Sequence, residues 1–187
     1  MTVYEVVHCV LDVLEARDTP LDYIMVGAMA VARWGLPRST TDADFVLTAP
    51  GPVVDQLLAR LPAEFRVEEQ ARRELFTDTM RWVVDVQGTA FKVEIFLQGQ
   101  DAHHQAEFAR RCRQKIPVLN REAWIPTAED LIIQKLRWAR LKDLQDIDSM
   151  LRVQSSALDF PYIENWCALH RTQARFDELR RSIPLDL

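Results

Sequence analysis

The sequence is short of cysteine, and the three it has, Cys9, Cys112 and Cys167, are odd in number and scattered. That argues against a disulfide framework or a clustered zinc site and reads as reduced thiols in a cytoplasmic protein. No apolar run approaches the ~20 residues that span a bilayer, so no membrane partner is expected. The opening MTVYEVVHCVLDVLEARD interrupts its apolar pattern with Glu5, Asp12 and Glu15, as an amphipathic helix does and a signal peptide does not. Positive charge is not in excess either. A net charge of −5 over 187 residues supplies no overall field for nonspecific binding to nucleic acid or an anionic surface, although a local basic patch stays open. Internal repeats, low-complexity tracts and flexible linkers are missing. Histidine is scarce, and the adjacent His103 and His104 do not share a helix face as metal ligands would; they read as a solvated loop or a helix start.

What is present is enough for one well-buried core: 48% of the residues are hydrophobic and 27% charged. A helix is expected over about residues 3–16, closed by the turn residues RDTP. LDYIMVGAMAVARWG reads as a strand over 23–26 that breaks at Gly27 into a helix ending near Gly35. A strand over 42–48 follows the polar PRSTT loop, and APGPVVDQLLARLPAEF has a proline in the first turn of a helix. VEEQARRELF, residues 67–76, is expected to be helical. MRWVVDVQ and AFKVEIFLQ, joined around Gly88, carry a hairpin signal. From about residue 101 the chain becomes mostly helical, interrupted by KIPVLNREAWIP with one strand or a pair. The strongest helix signal is the continuous IPTAEDLIIQKLRWARLKDLQDIDSMLRV, where Thr127 and Asp130 form a capping-box pattern, and SALDFPYIENWCALHR supplies a shorter helix after a proline turn. Strands crowd the first half and helices the second. This predicts an α+β fold of one domain over residues 1–187, a mixed, mostly antiparallel sheet flanked by helices, with a helical C-terminal portion.

The pattern leaves one feature to explain. Alternation along the strand at 42–48 puts Asp42, Asp44 and Val46 on one face and Ala43, Phe45 and Leu47 on the other. Two carboxylates on one face repel, and a cation between them removes the conflict. Upstream, Gly27 and Ala28 stand at a strand-to-helix turn, where free N–H groups form an anion site. A phosphate-binding turn beside paired carboxylates is what a Mg²⁺-nucleotide needs, because Mg²⁺ takes hard oxygen ligands from one or two carboxylates plus phosphates. Two metal ions would want a third carboxylate, for which Glu94 in FKVEIFL is the candidate. Its alternative is a solvated face on which Lys92 and Glu94 pair with Asp85 and Arg81 across the hairpin. Lys135 either binds triphosphate or snorkels to solvent, and Arg38 binds phosphate or acceptor or is solvated. Lys142 and Asp146 form an i, i+4 helix pair, and Asp143 is structural. Trp34, Trp82, Trp124 and Trp138 are core or cleft-wall residues. Gly27→Val should obstruct triphosphate while leaving the fold intact.

Gly27-Ala28, then Arg38-x-Thr40-x-Asp42-x-Asp44-Phe45, then Val93-Glu94-Ile95 resembles the nucleotidyltransferase superfamily of the DNA polymerase β type. EFARRCRQ and IPTAEDLIIQKLRWARLKDLQDIDSML look like the C-terminal helices of small bacterial members, including relatives of the AbiEii toxin group and the minimal aminoglycoside adenylyltransferases. The resemblance covers about residues 21–166. It implies Asp42, Asp44 and Glu94 around one or two Mg²⁺ ions, a nucleoside triphosphate as substrate, and in-line attack of a hydroxyl on the α-phosphorus with release of pyrophosphate. Gly27, Ala28, Arg38 and Lys135 would hold the nucleotide. Two residues depart from the family pattern: Ala28 stands where Gly or Ser is usual, and Glu94 where Asp is commoner. The acceptor, whether tRNA, protein or small molecule, stays open. So does the alternative of an inactive binding module paired with a cognate antitoxin.

Overall fold

A computed structural model of the chain describes residues 1–18, 20–67, 71–74 and 79–182. The first helix, α1 (Val3–Leu14), starts at a capping box in which Thr2 Oγ1 accepts from Glu5 N at 3.3 Å and the Glu5 carboxylate accepts from Thr2 N at 2.6 Å. Its Val6, Val7, Val10, Leu11 and Leu14 are buried in the core. Strand β1 (Tyr23–Met25) turns at Gly27 into α2 (Gly27–Trp34), and β2 (Asp42–Leu47) leads into α3 (Gly51–Leu58), with a proline in its first turn. These elements follow the expected order.

The segment read as a helix over residues 67–76 departs from it. Within the described residues it contributes to β3 (Phe65–Val67) and β4 (Arg72–Glu74), both paired antiparallel with β5 (Thr79–Val86); residues 68–70 and 75–76 lie outside them. The cause is tertiary. An eight-residue strand presents a long row of backbone donors and acceptors that must be paired, and this outweighs the weak helix propensity of a short charged segment. On its other side β5 pairs antiparallel with β6 (Lys92–Leu97) through the turn at Gly88, whose φ is +73°.

The sheet order is β1-β2-β6-β5-β3, with β4 also on β5. Among the described residues only β2 with β6 is a parallel pair; β1 with β2 and β5 with its neighbours are antiparallel. Ala43, Phe45 and Leu47 of β2 and Val93 and Ile95 of β6 are wholly buried on the core face, together with the apolar stripe of α1. Each such large side chain contributes about 1.5–3 kcal/mol by leaving water, so a one-residue slip of β2, which would expose Phe45 and bury Asp44, is strongly disfavoured.

After α4 (Ala102–Ala109) the chain forms a separate antiparallel hairpin of β7 (Cys112–Ile116) and β8 (Arg121–Ile125); KIPVLNREAWIP allowed a pair of strands, but β7 starts three residues earlier, within EFARRCRQ, which was expected to be helical. The long helix expected next is two: α5 (Ala128–Trp138) and α6 (Leu141–Gln154). Thr127 caps α5 as expected, its hydroxyl oxygen accepting from Asp130 N at 3.2 Å. Ala139 closes α5 in the left-handed region at φ 51°, donating its N–H to Lys135 O at 2.9 Å. The Asp143 carboxylate then accepts from Arg140 N at 3.1 Å and Arg140 Nε at 2.7 Å, starting α6. On one continuous helix Lys135 and Asp146 would stand about 16 Å apart along the axis; the break brings Lys135 Nζ to 2.7 Å from Asp146 Oδ2. Helices α7 (Phe160–His170) and α8 (Gln173–Ser182) complete the C-terminal part. No helix among the described residues is long and apolar enough to cross a membrane.

Candidate active site

The parallel register of β2 and β6 sets Asp42 opposite Lys92, Asp44 opposite Glu94 and Val46 opposite Phe96, all on the sheet face turned away from the core. That face, with α5 and α6 across from it, walls a cavity of about 300 Å³ lined by Asp42, Asp44, Glu94, Gly27, Lys135 and Lys142 among others. Lys92 pairs with Asp85 at 3.2 Å and Arg81 with Glu94 at 3.5 Å, yet Glu94 lines the cavity beside Asp44.

Electrostatics at this end are set first by burial and then by crowded negative charge. Burial, then Glu94 and Asp42, push the Asp44 carboxyl up to about 7, against the pull of Lys135 and Lys142. Burial also raises Glu94, with Asp42 adding to the effect and Arg81 opposing it. Thr40 Oγ1 accepts from Asp42 N at 3.1 Å, and Thr41 Oγ1 donates to Asp42 Oδ1 at 3.3 Å, fixing the start of the strand.

Gly27 is required by two separate constraints. Its φ of +65° lies in the left-handed region, and a Cβ there would overlap the Asp44 carboxylate. The expectation that Gly27→Val leaves the fold intact is therefore corrected, because the substitution strains the turn and displaces Asp44. The α2 N-terminus carries no side-chain cap, and Val26 at its N-cap donates its N–H to Asp44 O at 2.9 Å. Ala28 is buried in the core.

The other anticipated residues divide. Lys135 lines the cavity, but its amine does not reach solvent: it is buried and paired with Asp146 at 2.7 Å and Asp143 at 3.4 Å. Arg38 is turned to the same acid instead of the cavity wall, with Nε 2.7 Å from Asp146 Oδ1 and Nη2 2.9 Å from Oδ2. Asp146 thus joins Arg38 and Lys135 in place of the expected pair with Lys142, which lines the cavity. Asp143 is buried and holds Arg140 and Lys135. Trp138 is a wall residue. His104, Glu107, Gln134 and Arg140 also line the cavity, and the sequence reading did not single them out for the site. The three-residue spacing of His104 and Glu107 was a usable signal, since it puts both on one face of α4. The histidine pair does stand at a helix start, where the Asp101 carboxylate accepts from both N–H groups, but both side chains are buried instead of solvated.

Among the described residues no three His, Cys, Asp or Glu side chains come together as a metal-binding group. The donor chemistry nevertheless fits a hard divalent cation that shares its coordination with phosphates: two carboxylates at alternate positions of one strand, a third opposite, and mutual repulsion that a cation would relieve.

Comparison with known proteins agrees with this architecture. A family model described as "Nucleotidyltransferase of unknown function (DUF6036)" matches residues 4–181. No curated protein matches significantly. Among solved structures, ANT(2'')-Ia in complex with adenylyl-2''-tobramycin is similar at a TM-score of 0.61 and 18% identity, covering 94% of this chain and 99% of that one. The lincomycin-bound lincosamide antibiotic adenylyltransferase LnuA is similar at 0.58 and 13%, covering 82% and 98%. An antigenic nucleotidyltransferase-like protein from Paracoccidioides brasiliensis is similar at 0.57 and 17%, covering 94% and 91%. At such identities the likeness is one of fold.

Proposed function

The chain belongs to the DUF6036 family of nucleotidyltransferases of unknown function, and from that membership we propose that it moves a nucleoside monophosphate from a nucleoside triphosphate to a hydroxyl acceptor. The observation that carries the reading is Asp42 and Asp44 on β2 facing the same cavity as Glu94 on β6, beside the turn at Gly27. Asp42, Asp44 and Glu94 would hold Mg²⁺, which when bound neutralises charge on the phosphates. Lys142, with Lys135 behind it, offers positive charge to the triphosphate. Glu94, raised by burial, suits the proton of the attacking hydroxyl as an acceptor. The new P–O bond forms at the α-phosphorus as the bond to pyrophosphate breaks. ANT(2'')-Ia with adenylyl-2''-tobramycin and LnuA with lincomycin make a small hydroxylated molecule a reasonable acceptor beside tRNA or protein.

The test is incubation with α-labelled nucleoside triphosphates, Mg²⁺ and cell extract, followed by fractionation. Label should enter an acceptor with the natural chain and fall to background with Asp42→Asn plus Asp44→Asn. At about a hundred times Kd, Mg²⁺-nucleotide should add ~2.7 kcal/mol of stability to the natural chain and none to the variant. Absence of both transfer and stabilisation in the natural chain would refute the transferase. A second reading, a module without turnover akin to the AbiEii group and paired with an antitoxin, draws on Ala28 and Glu94; it replaces the transferase if the natural chain gains no stability from saturating Mg²⁺-nucleotide.

A further inference from the structure

The α4–α5 end of the cavity contains two polar groups that the transfer chemistry leaves unused. Glu107 of α4 is 4% exposed, and its Oε1 has no hydrogen-bond partner among the described residues. Gln134 of α5 likewise has a buried Oε1 without a partner. Both line the cavity. A buried acceptor left unpaired costs about 1–3 kcal/mol, so the two together call for donors.

The neighbouring contacts orient the side chains around these two oxygens. Asp101 caps α4 and accepts from Arg137 Nη1 at 3.0 Å and Nη2 at 3.3 Å, which holds Arg137 in place. Arg137 Nη1 also stands 3.5 Å from His104 Nε2, and since a guanidinium only donates, that ring nitrogen is an acceptor. The Gln134 amide nitrogen, 3.3 Å away, donates to it as well, and this turns the Gln134 oxygen away from the histidine. Gly99 keeps the imidazole seated, because a Cβ there would overlap His104 Nδ1. His104, Gln134 and Arg137 are thus joined, and the cavity wall holds two buried oxygens, of Gln134 and Glu107, that no group among the described residues satisfies.

Building on the transferase reading, we propose that Glu107 and Gln134 form a subsite for an amino group, in which N–H donors of the ligand satisfy both oxygens. Two sources carry that chemistry: the exocyclic amine of the nucleotide's base, or a primary amine on the acceptor. Burial, reinforced by Asp130, pushes the Glu107 carboxyl up to about 8 against the pull of Arg137, so near neutrality it is mostly the neutral acid, whose carbonyl oxygen still accepts an N–H, and a bound ammonium would favour its ionisation.

Calorimetry with Mg²⁺ distinguishes the sources, using ATP against purine riboside triphosphate, which lacks the base amine, and glucosamine against N-acetylglucosamine. The natural chain should prefer the amine-bearing member of one pair by about tenfold. Glu107→Met and Gln134→Leu should each reduce that preference and leave affinity for purine riboside triphosphate unchanged; the isosteric Glu107→Gln guards against a folding defect. Preference within the nucleotide pair assigns the base, and within the sugar pair the acceptor. The proposal is overturned if the natural chain discriminates in neither pair, or if discrimination survives in both variants. Binding of purine riboside triphosphate reports the nucleotide site without the base amine. Its retention without amine discrimination sinks only the subsite, whereas its loss together with transfer sinks the transferase reading.

Discussion

Gly27 and Glu107 show how much one residue can decide here. Gly27→Ala combines a left-handed φ, which costs a side-chain-bearing residue roughly 1–2 kcal/mol, with overlap on the Asp44 carboxylate. The expected outcome is a loss of at least about 1 kcal/mol in urea denaturation, accompanied by weaker stabilisation by Mg²⁺-nucleotide; unchanged values for both would remove Gly27 from the site. Glu107 predicts a pH dependence. Its carboxyl ionises near 4.5 when unfolded and near 8 in the fold, so the unfolded chain releases its proton first as pH rises. The group costs nothing below pH 4.5, increasingly destabilises the fold above it, and has its full effect beyond pH 8. Asp44, raised to about 7, adds a slope of the same sign, so the informative quantity is a difference between two proteins. Between pH 5 and 8 the natural chain should lose on the order of 3 kcal/mol more than Glu107→Gln. Parallel pH profiles would show that the carboxyl titrates normally.

At the scale of elements, the break between α5 and α6 matters most. Alanine is the best helix former, and nothing in the run LIIQKLRWARLKDLQDI marks Ala139 as a stop. The apolar period continues on both sides, and a single helix was the local answer. What stops it is the set of contacts a stop permits: Asp143 onto Arg140, and Asp143 and Asp146 onto Lys135. A left-handed alanine is strained where glycine is not, so Ala139→Gly should raise stability by about 0.5–1 kcal/mol, a few degrees in thermal melting for a chain of this length. A fall in melting temperature would mean that the break is not held at Ala139. The strands β3 and β4 teach the same lesson from the other side, since there the exposed edge of β5 overrode a helical reading of residues 67–76.

Across the whole molecule, Asp146 ties the helical C-terminal part to the sheet. Its side chain is 3% exposed and accepts from Arg38, just ahead of β2, and from Lys135 in α5. Against the effect of burial, Arg38 and Lys135 hold its carboxyl below the ordinary range. Its stabilising contribution is therefore present at neutral pH and is lost only as pH falls through that depressed value. Asp146→Ala leaves a buried lysine short of a partner and should cost about 3 kcal/mol, with Asp143 retaining part of the Lys135 contact. The variant should also lose its transfer activity more than its ability to fold, because Lys135 stands in the cavity wall. A loss under 1 kcal/mol in urea denaturation would show that the tie is dispensable.

By itself the sequence determined what depends on neighbours along the chain. The alternation of β2 and β6, the glycine turn into α2, the caps of α1 and α5 and the hairpin at Gly88 are all set by periods of two or 3.6 residues and by local backbone chemistry. From that alternation it was legible that Asp42 and Asp44 share a face and that Glu94 lies on the face of Lys92 and Phe96. Contacts between residues far apart in sequence were decided only in three dimensions. The parallel register that sets Asp44 opposite Glu94, the commitment of Arg38 and Lys135 to one buried aspartate, and the burial of unpaired Glu107 and Gln134 oxygens in one cavity wall all arise where separate elements meet. Charge pairing and desolvation depend on distance in space, and no spacing along the chain encodes that distance once a helix breaks or a strand finds a new edge.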